Sequence, residues 1–168
     1  MKRQVRCRDT GYFFSQKCDS IGRVLVGMLK ISKKTEYGLI SLLHMADRRR
    51  VPLATAKEIA DAYDIPSELL GKVLQSLARG GLVESVQGSR GGYRLTRNLE
   101  DLSLGEVVES VDGPILIVPC CDGTESCRQH TACNIKGPIQ KIQENLVEYM
   151  HDLSLAQFRT FTPLETGR

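Results

Sequence analysis

Two short helix patterns followed directly by a glycine-rich hairpin pattern constrain the fold of this chain more than any other feature. Thr55-Ala-Lys-Glu58 has the spacing of a capping box and predicts a helix from Ala56 to about Tyr63 that buries Ile59, Ala60 and Tyr63. After a tight connection, Ser67 is predicted to cap a second helix that ends near Arg79, before Gly80-Gly81. Two short helices joined by such a turn form a helix-turn-helix pattern.

The segment after this helix pair alternates in the manner of two strands. Leu82–Val86 is predicted to be the first strand, residues 87–92 the turn and Tyr93–Leu95 the returning strand. A hairpin in this place is a wing, whose glycines let the backbone approach a duplex while Arg90 and Arg94 offer charge to phosphates or the minor groove. The second helix should supply core through its inner stripe of Leu70, Val73, Leu74 and Leu77.

Further helices are predicted on both sides of this unit. Ser32 is a plausible N-cap for a helix that ends in the charged run 47–50, and Ser103-Leu-Gly-Glu106 is a second capping box. Pro138 is predicted at the first position of a long amphipathic helix with the apolar stripe Ile135, Ile139, Ile142, Leu146, Tyr149 or Met150, and Leu153. Such a helix beyond a small domain needs a cover, so we expect a homodimer, with packing inside one chain as the alternative.

Composition agrees with a small, mainly α fold. The chain of 168 residues has no Trp, five Tyr and four Phe, so its core must be built chiefly from aliphatic side chains. The net charge of +3 hides a gradient, because residues 28–98 carry twelve Lys and Arg against seven acids, whereas residues 99–168 carry five against eleven. The basic middle of the chain is therefore the better candidate for binding phosphate backbones.

The same patterns predict how the chain is divided. No apolar run approaches about eighteen residues and no secretory signal is evident, so we expect no membrane span and a cytoplasmic protein. The predicted divisions are a poorly ordered extension or mis-assigned start over 1–27, a winged helix-turn-helix domain over 28–98, a short helix and cysteine-rich loop over 99–136, a dimerisation helix over 137–160, and a frayed tail over 161–168.

Four of the six cysteines fall between residues 120 and 133. A reducing cytosol counts against a disulfide knot there. Structural zinc sites pair ligands at about two to four intervening residues, whereas Cys120, Cys127 and Cys133 are separated by six and five. Widely spaced thiolates suit an iron–sulfur cluster better than zinc. A zinc site, and a cluster-free thiol switch at the adjacent Cys120 and Cys121, stay open.

Position within the helix pair and wing nominates residues that would touch DNA. A recognition helix presents its N-terminal residues to base edges in the major groove. Those residues are Ser67, Glu68, Lys72 and Gln75, with Thr55 and Arg79 better placed for phosphates and the wing offering Arg90, Gly91, Gly92 and Tyr93. Enzyme chemistry is not expected, because the three histidines are scattered and the wing glycines precede no helix, as a phosphate loop would require.

With these features together, the chain resembles the Rrf-type family of winged helix-turn-helix transcriptional regulators, many of which carry iron–sulfur clusters. The resemblance covers Met28 to about Phe158. It rests on the segment Met28–Gly38, the Gly-x-x-Gly-Gly-Tyr-x-Leu wing from Gly88 to Leu95, and three spaced cysteines after a Val-Asp-Gly-Pro turn. Within the family the chain is most similar to regulators of the SUF iron–sulfur assembly system, in which Gly-Pro-Ile precedes the first cysteine as residues 113–115 do here.

The resemblance implies a cluster, 2Fe-2S rather than 4Fe-4S, bound near the long helix by Cys120, Cys127 and Cys133. Cys121 in place of Cys120 gives a spacing also found in the family, but alignment on residues 113–115 favours Cys120.

The fourth ligand varies among the proteins that the chain resembles. Some use a histidine three residues after the last cysteine, where this chain has Lys136. Others use an acidic residue early in the first helix of the partner subunit, which is the place of Glu36. His130 is a weaker local candidate.

The resemblance therefore implies a homodimeric transcriptional regulator, a repressor, that binds a near-palindromic double-stranded operator and controls SUF-type genes, with no small-molecule substrate. A nitric-oxide or redox-sensing repressor on the same scaffold is the alternative. Many family members carry a bulkier polar residue where Gly71 stands and an arginine where Gln87 stands, so the operator sequence is not implied.

Overall fold

The computed structural model describes residues 17–18, 24–25, 31–48, 53–88, 91–118, 129 and 131–160. The chain forms two compact units, Met1–Lys30 and Ile31–Arg168. In the first unit, β1 (Lys17–Cys18) pairs antiparallel with β2 (Val24–Leu25). Most of the predicted N-terminal extension and all of the predicted tail lie outside the described residues.

The second unit is mainly helical with a two-stranded antiparallel wing, as predicted. Its elements in chain order are α1 (Lys33–Asp47), α2 (Ala56–Tyr63), α3 (Ser67–Arg79), β3 (Val83–Val86), β4 (Gly92–Leu95), a 3-10 turn (Leu99–Asp101), α4 (Leu104–Asp112), α5 (Lys136–Asp152) and α6 (Gln157–Thr160). No helix among the described residues is long and apolar enough to cross a membrane.

Side-chain caps begin the first two helices where the sequence predicts them. Ser32 Oγ accepts from the Thr35 amide at 3.1 Å, and Thr55 Oγ1 accepts from the Glu58 amide at 3.1 Å. The Glu58 carboxylate is held by Arg48, which is the main reason why its pKa is lowered. The cap is thus tied to the end of α1.

The prediction that Ser67 caps α3 is wrong, because Ser67 is the first residue of the helix and Pro66 takes the cap position. Asp64 adopts a left-handed conformation (φ 52°), which aspartate tolerates better than most residues. This turns the chain sharply enough for the Ile65 amide to reach the Ala60 carbonyl at 3.0 Å, and α3 starts one residue early.

The core lies where α1, α3 and α4 meet. The predicted inner stripe of α3 is confirmed, since Leu70, Val73, Leu74 and Leu77 are all buried. Gly38 of α1 faces this core, and a Cβ there would make ordinary contacts at 3.5–3.6 Å with Val107 and Val111 of α4 and Val73 of α3.

Tyr63, predicted to be core, is instead 45% exposed. Its hydroxyl lies 3.2 Å from His44 Nδ1, and the two rings meet edge to face at a centroid distance of 5.5 Å. The hydroxyl keeps its contact with water and the histidine by staying at the surface, which periodicity alone does not reveal.

The wing is anchored to the loop that precedes α2. β3 and β4 pair from Val83 with Leu95 to Val86 with Gly92. Ala54 then bridges Tyr93, donating to its carbonyl at 2.9 Å and accepting from its amide at 2.8 Å. The position of the wing relative to the helix pair is therefore set by backbone hydrogen bonds.

The predicted capping box at α4 forms in full. Ser103 Oγ accepts from the Glu106 amide at 3.2 Å, and the Glu106 carboxylate accepts from the Ser103 amide at 2.9 Å. The same carboxylate accepts from Arg97 at 2.7 Å, so it joins the 3-10 turn region to α4.

The long C-terminal helix is shorter than predicted and begins slightly earlier. α5 covers Lys136–Asp152, so Pro138 is its third residue rather than its first, a place where a proline still removes no helical hydrogen bond. The helix does not run to 160, because Leu153 and Leu155 form backbone hydrogen bonds with Leu104 and Leu102 at 2.9 and 2.8 Å. Leu155 is fully buried as a result.

Replacing Glu106 with Gln should weaken the fold at neutral pH and matter less in acid. Burial opposes ionisation, but hydrogen bonds from Arg97 and Ser103 outweigh it and lower the pKa of Glu106 from its usual 4.5. A lowered pKa contributes stability above the unfolded-state pKa, and this is lost as pH falls through the folded-state pKa. Urea unfolding at fixed protein concentration should show a deficit of a few tenths to about 1 kcal/mol at pH 7 that closes below pH 4.5.

Glu100→Gln is the matched control, because Glu100 is an exposed carboxyl in the adjacent 3-10 turn. It should change stability little at either pH. A Glu106→Gln deficit of the same size at pH 7 and at pH 3 would contradict the ionic origin of the effect.

Candidate functional site

The outer face of α3 brings five of the predicted DNA-contacting residues together. The exposed side chains on this face are Ser67, Glu68, Lys72, Gln75 and Arg79. Lys72 Nζ lies 3.1 Å from Glu68 Oε1, and both side chains are at least 70% exposed. Such a solvated ion pair is worth little, so Lys72 can exchange its carboxylate for another anion at small cost.

The wing and the start of α2 hold the other predicted contacts. Thr55 is exposed at the N-terminus of α2, where backbone amides point outward and favour anions. The Gly91 amide closes the wing turn by donating to the Gly88 carbonyl at 2.9 Å. Arg94 pairs with Glu84 through contacts of 3.0 and 2.8 Å, and both side chains are about half exposed. Arg90 lies outside the described residues.

Packing requires a glycine at position 92 but not at position 71. A Cβ on Gly92 would lie 2.8 Å from the Ala54 carbonyl oxygen, so the bridge between the wing and the α2 loop excludes any side chain there. Tyr93 is half-buried against the core beside that bridge. At Gly71, on the outer half of α3, no described atom would come within 4 Å of a Cβ. Packing within the described chain therefore does not explain Gly71.

Two of the candidate metal ligands are described, and each lies at the start of a helix. Glu36 is in the first turn of α1, with its side chain 39% exposed and paired to Lys33, whose pKa is raised chiefly by that hydrogen bond. Cys133 is half-buried with a free thiol, three residues before α5. The remaining candidates, Cys120, Cys121, Cys127 and His130, lie outside the described residues.

The two described donors fit an iron–sulfur cluster by their chemistry. Cys133 offers a thiol, the ligand type that such clusters favour, and Glu36 offers an accessible carboxylate, which would be a more easily exchanged ligand. Within the described ranges, no three His, Cys, Asp or Glu side chains converge on a common point. Completing a ligand set therefore requires residues 120–130 or a second chain.

The sequence analysis missed two contacts that hold the segments around α4 and the cysteine loop. Thr35, beside Glu36, is buried and donates from Oγ1 to Asp112 Oδ2 at 2.7 Å, which ties the start of α1 to the end of α4. Gln143 of α5 accepts from the Ile117 amide at 2.7 Å and donates to the Ile115 carbonyl. Each pair is at least 26 residues apart in the chain, so no local pattern predicts it.

An apolar patch stays exposed on α5. Ile135, Ile142 and Tyr149 are 58%, 54% and 63% exposed, and their spacing of seven residues places them on one side of the helix. Leu116, in the segment that Gln143 contacts, is also exposed. Met150 and Leu153, from the predicted stripe, pack against the core instead.

The two glycine positions should respond to alanine with opposite signs. Gly92→Ala must move the Ala54 carbonyl and should lower the free energy of unfolding by about 1–3 kcal/mol, as overpacking does. Gly71→Ala enters open space in an exposed helix and should raise it by about 0.5–1 kcal/mol. Urea unfolding measures both, and a shift of the same sign in both variants would contradict the packing described here.

Comparison with known proteins agrees with this architecture. Residues 31–160 match the Rrf2 family, described as an iron-dependent transcriptional regulator. The transcriptional regulator NsrR of Shouchella clausii is 32% identical over 126 residues, covering 74% of this chain and 83% of that protein. The putative regulator rrf2-like of Rhodobacter capsulatus is 37% identical over 114 residues, covering 63% of this chain and 76% of that protein.

Solved structures of the same kind superpose on most of the chain. CymR, the global cysteine regulator of B. subtilis, gives a TM-score of 0.64 at 25% identity and covers 80% of this chain and 99% of its own. IscR of T. potens gives 0.60 at 22% identity, covers 83% and 93% respectively, and supports the fold alone. From the helix pair, the wing and the match over residues 31–160, the chain belongs to the Rrf2 family of transcriptional regulators, and it is not an enzyme.

Proposed function

We propose that this protein is a cytoplasmic, homodimeric DNA-binding repressor that reports iron–sulfur cluster status. The observation that carries the proposal is the start of α5, where Cys133 lies beside Ile135, the first residue of the exposed apolar stripe. A candidate metal ligand and a surface that needs a partner thus share one helix end. Binding or loss of a metal at Cys133 could therefore alter the dimer surface on α5.

The apolar stripe supports a dimer. Three large apolar side chains on one side of α5 are each more than half exposed, which is costly unless another surface covers them. The resemblance to Rrf-type regulators implies a dimer, and a second copy of α5 would supply a matching apolar face. We therefore still propose that a partner helix covers the stripe, as expected from the sequence. α5 also packs against α4 of its own chain.

The α3 face supports DNA binding. Its exposed polar residues project from a helix whose other side is fully buried, so the face is rigid and free to enter a major groove. Two such faces in a twofold-symmetric dimer would read a near-palindromic operator. Ser67, Glu68, Lys72 and Gln75 would meet base edges, while Thr55, Arg79 and the wing residues 90–93 would lie toward phosphates.

For the metal centre, we assign Cys120, Cys127 and Cys133 of one chain and Glu36 of the other, with Cys121 and His130 as the alternatives. When bound, a cluster of the 2Fe-2S type would supply a centre that can be reduced, oxidised or lost. Glu36 is suited to reversible ligation, because a carboxylate binds iron more weakly than a thiolate and already has Lys33 as a substitute partner. SUF-type assembly genes are the proposed target.

Placing a charge in the apolar stripe should dissociate the dimer. Ile142→Glu puts a carboxylate into the face that a second α5 would cover, and burying it unpaired is prohibitive. Sedimentation velocity should show a dimer for the parent protein and a monomer for the variant at micromolar concentration. Gln140→Glu adds the same charge to an exposed position on the same helix and should remain dimeric. A dimer in both variants would place the interface elsewhere.

The whole proposal is tested by anaerobic absorption and EPR spectra combined with a gel shift on the DNA upstream of the protein's own gene. Loading with iron and sulfide should give a cluster spectrum and change the affinity for this DNA. Lys72→Ala should weaken binding by about tenfold or more, as expected for a lost base or phosphate contact. Lys141→Ala is the matched control, since Lys141 is equally exposed and paired with a glutamate on α5, away from α3.

Each alternative predicts a different outcome. Colourless protein that carries only zinc, or DNA affinity that follows thiol oxidation without iron, would replace the cluster with a zinc site or a thiol switch. A cluster protein whose affinity changes with nitric oxide but not with cluster supply would favour the nitric-oxide or redox sensor. Alanine at Glu36, and at Cys120 and Cys121 separately, identifies the first and fourth ligands by loss of the wild-type EPR signal.

A further inference from the structure

Gln143 is the buried residue of α5, and this reverses the expected pattern of the helix. All residues of α5 are described, and Gln143 is 9% exposed while Ile142, the residue before it, is 54% exposed. An uncharged amide is costly to bury unless its oxygen and nitrogen find partners. The least exposed position of the helix is therefore occupied by a polar side chain, and the hydrogen-bond partners of Gln143 indicate its role.

Both ends of the Gln143 amide bind the backbone of one short segment. Oε1 accepts from the Ile117 amide at 2.7 Å, and Nε2 donates to the Ile115 carbonyl. The two bonds flank Leu116 in the way that a neighbouring β-strand would pair with it. One side chain thus fixes both the direction and the register of residues 115–117 against α5, which an apolar contact would leave free to slide.

This segment is the approach to the cysteine loop. Ile117 stands three residues before Cys120, and α4 ends at Asp112, three residues before Ile115. Asp112 is itself held by Thr35, next to Glu36. The approach is therefore attached at one end to the α1 turn that carries a candidate ligand and at the other end to α5.

We propose that Gln143 is a positioning residue that couples the cysteine loop to α5. A shift of residues 115–117 by one position breaks both hydrogen bonds at once and leaves a buried amide unpaired, so the contact is either made in register or lost. A displacement of residues 115–117 would thereby change the contacts of the helix that carries the exposed apolar stripe in an all-or-none manner. This role rests on the proposed function, although the contact itself is testable in protein without metal.

The test uses Gln143→Met, which keeps the side-chain volume and removes both hydrogen bonds, and Gln143→Glu, which keeps an acceptor for the Ile117 amide. In metal-free protein, amide exchange at Ile117 should be about tenfold faster in Gln143→Met, the effect of losing one hydrogen bond. Gln143→Glu should lie between this variant and the parent. Exchange at Val107, in the buried part of α4, reports global unfolding, so the increase at Ile117 should exceed any increase at Val107.

A second readout follows the loop itself. Release of iron to a chelator from loaded protein should be faster in Gln143→Met than in the parent, with Gln143→Glu again intermediate. Gln140→Met, which alters an exposed glutamine of the same helix, should match the parent in both measurements.

The outcomes separate this proposal from the proposed function. Parent protein that takes up no cluster would refute the sensing function, while the exchange rates would still confirm or refute the contact. Faster exchange at Ile117 with unchanged iron release would refute the positioning role. Equal exchange in Gln143→Met and the parent would refute the contact.

Discussion

Burial of the α3 inner stripe between α1 and α4 is the interaction on which the rest of the structure depends. Leu70, Leu74 and Leu77 are fully buried there. Each such leucine stabilises the fold by roughly 1.5–3 kcal/mol relative to an exposed one. Because a helix has two sides, holding one side in the core fixes the other toward solvent. The polar face of α3 is therefore as well positioned as the core itself, which is what reading a DNA groove requires.

The C-terminal helix follows the opposite logic. Ile135, Ile142 and Tyr149 face outward, whereas Gln143 faces inward. The end of α5 is held by backbone pairing of residues 153–155 with residues 102–104, which continues the chain into the core at Leu155. With that end fixed, the rotation of α5 is set, and the backbone amide and carbonyl groups of residues 115–117 lie against Gln143. A helix whose large apolar residues are exposed on the surface of its own chain is suited to an interface with another chain.

Local chemistry made much of this predictable. Ser32, Thr55 and the Ser103–Glu106 box begin helices because short polar side chains satisfy the first free amides, and those partners lie within three residues. The wing follows from alternation and glycine. The sequence-based predictions were wrong where distant contacts intervene. Tyr63 lies at the surface beside His44 rather than in the core, and the C-terminal helix ends early because Leu155 is buried in the core. Of the candidate site, the α3 face was predictable from helical periodicity, whereas Thr35 with Asp112 and Gln143 with Ile117 were not.

The sequence by itself determined the class of the protein through a helix pair with a wing and an amphipathic C-terminal helix, both of which are matters of short-range spacing. Only the tertiary structure decided which side of α5 is covered, why Gly92 bears no side chain, and how the start of α1 is joined to the approach to the cysteine loop. The physical reason is the range of the forces. Caps and periodicity act within one or two turns, whereas the direction in which a helix presents its faces depends on hydrogen bonds and packing between residues that meet only after the chain has folded.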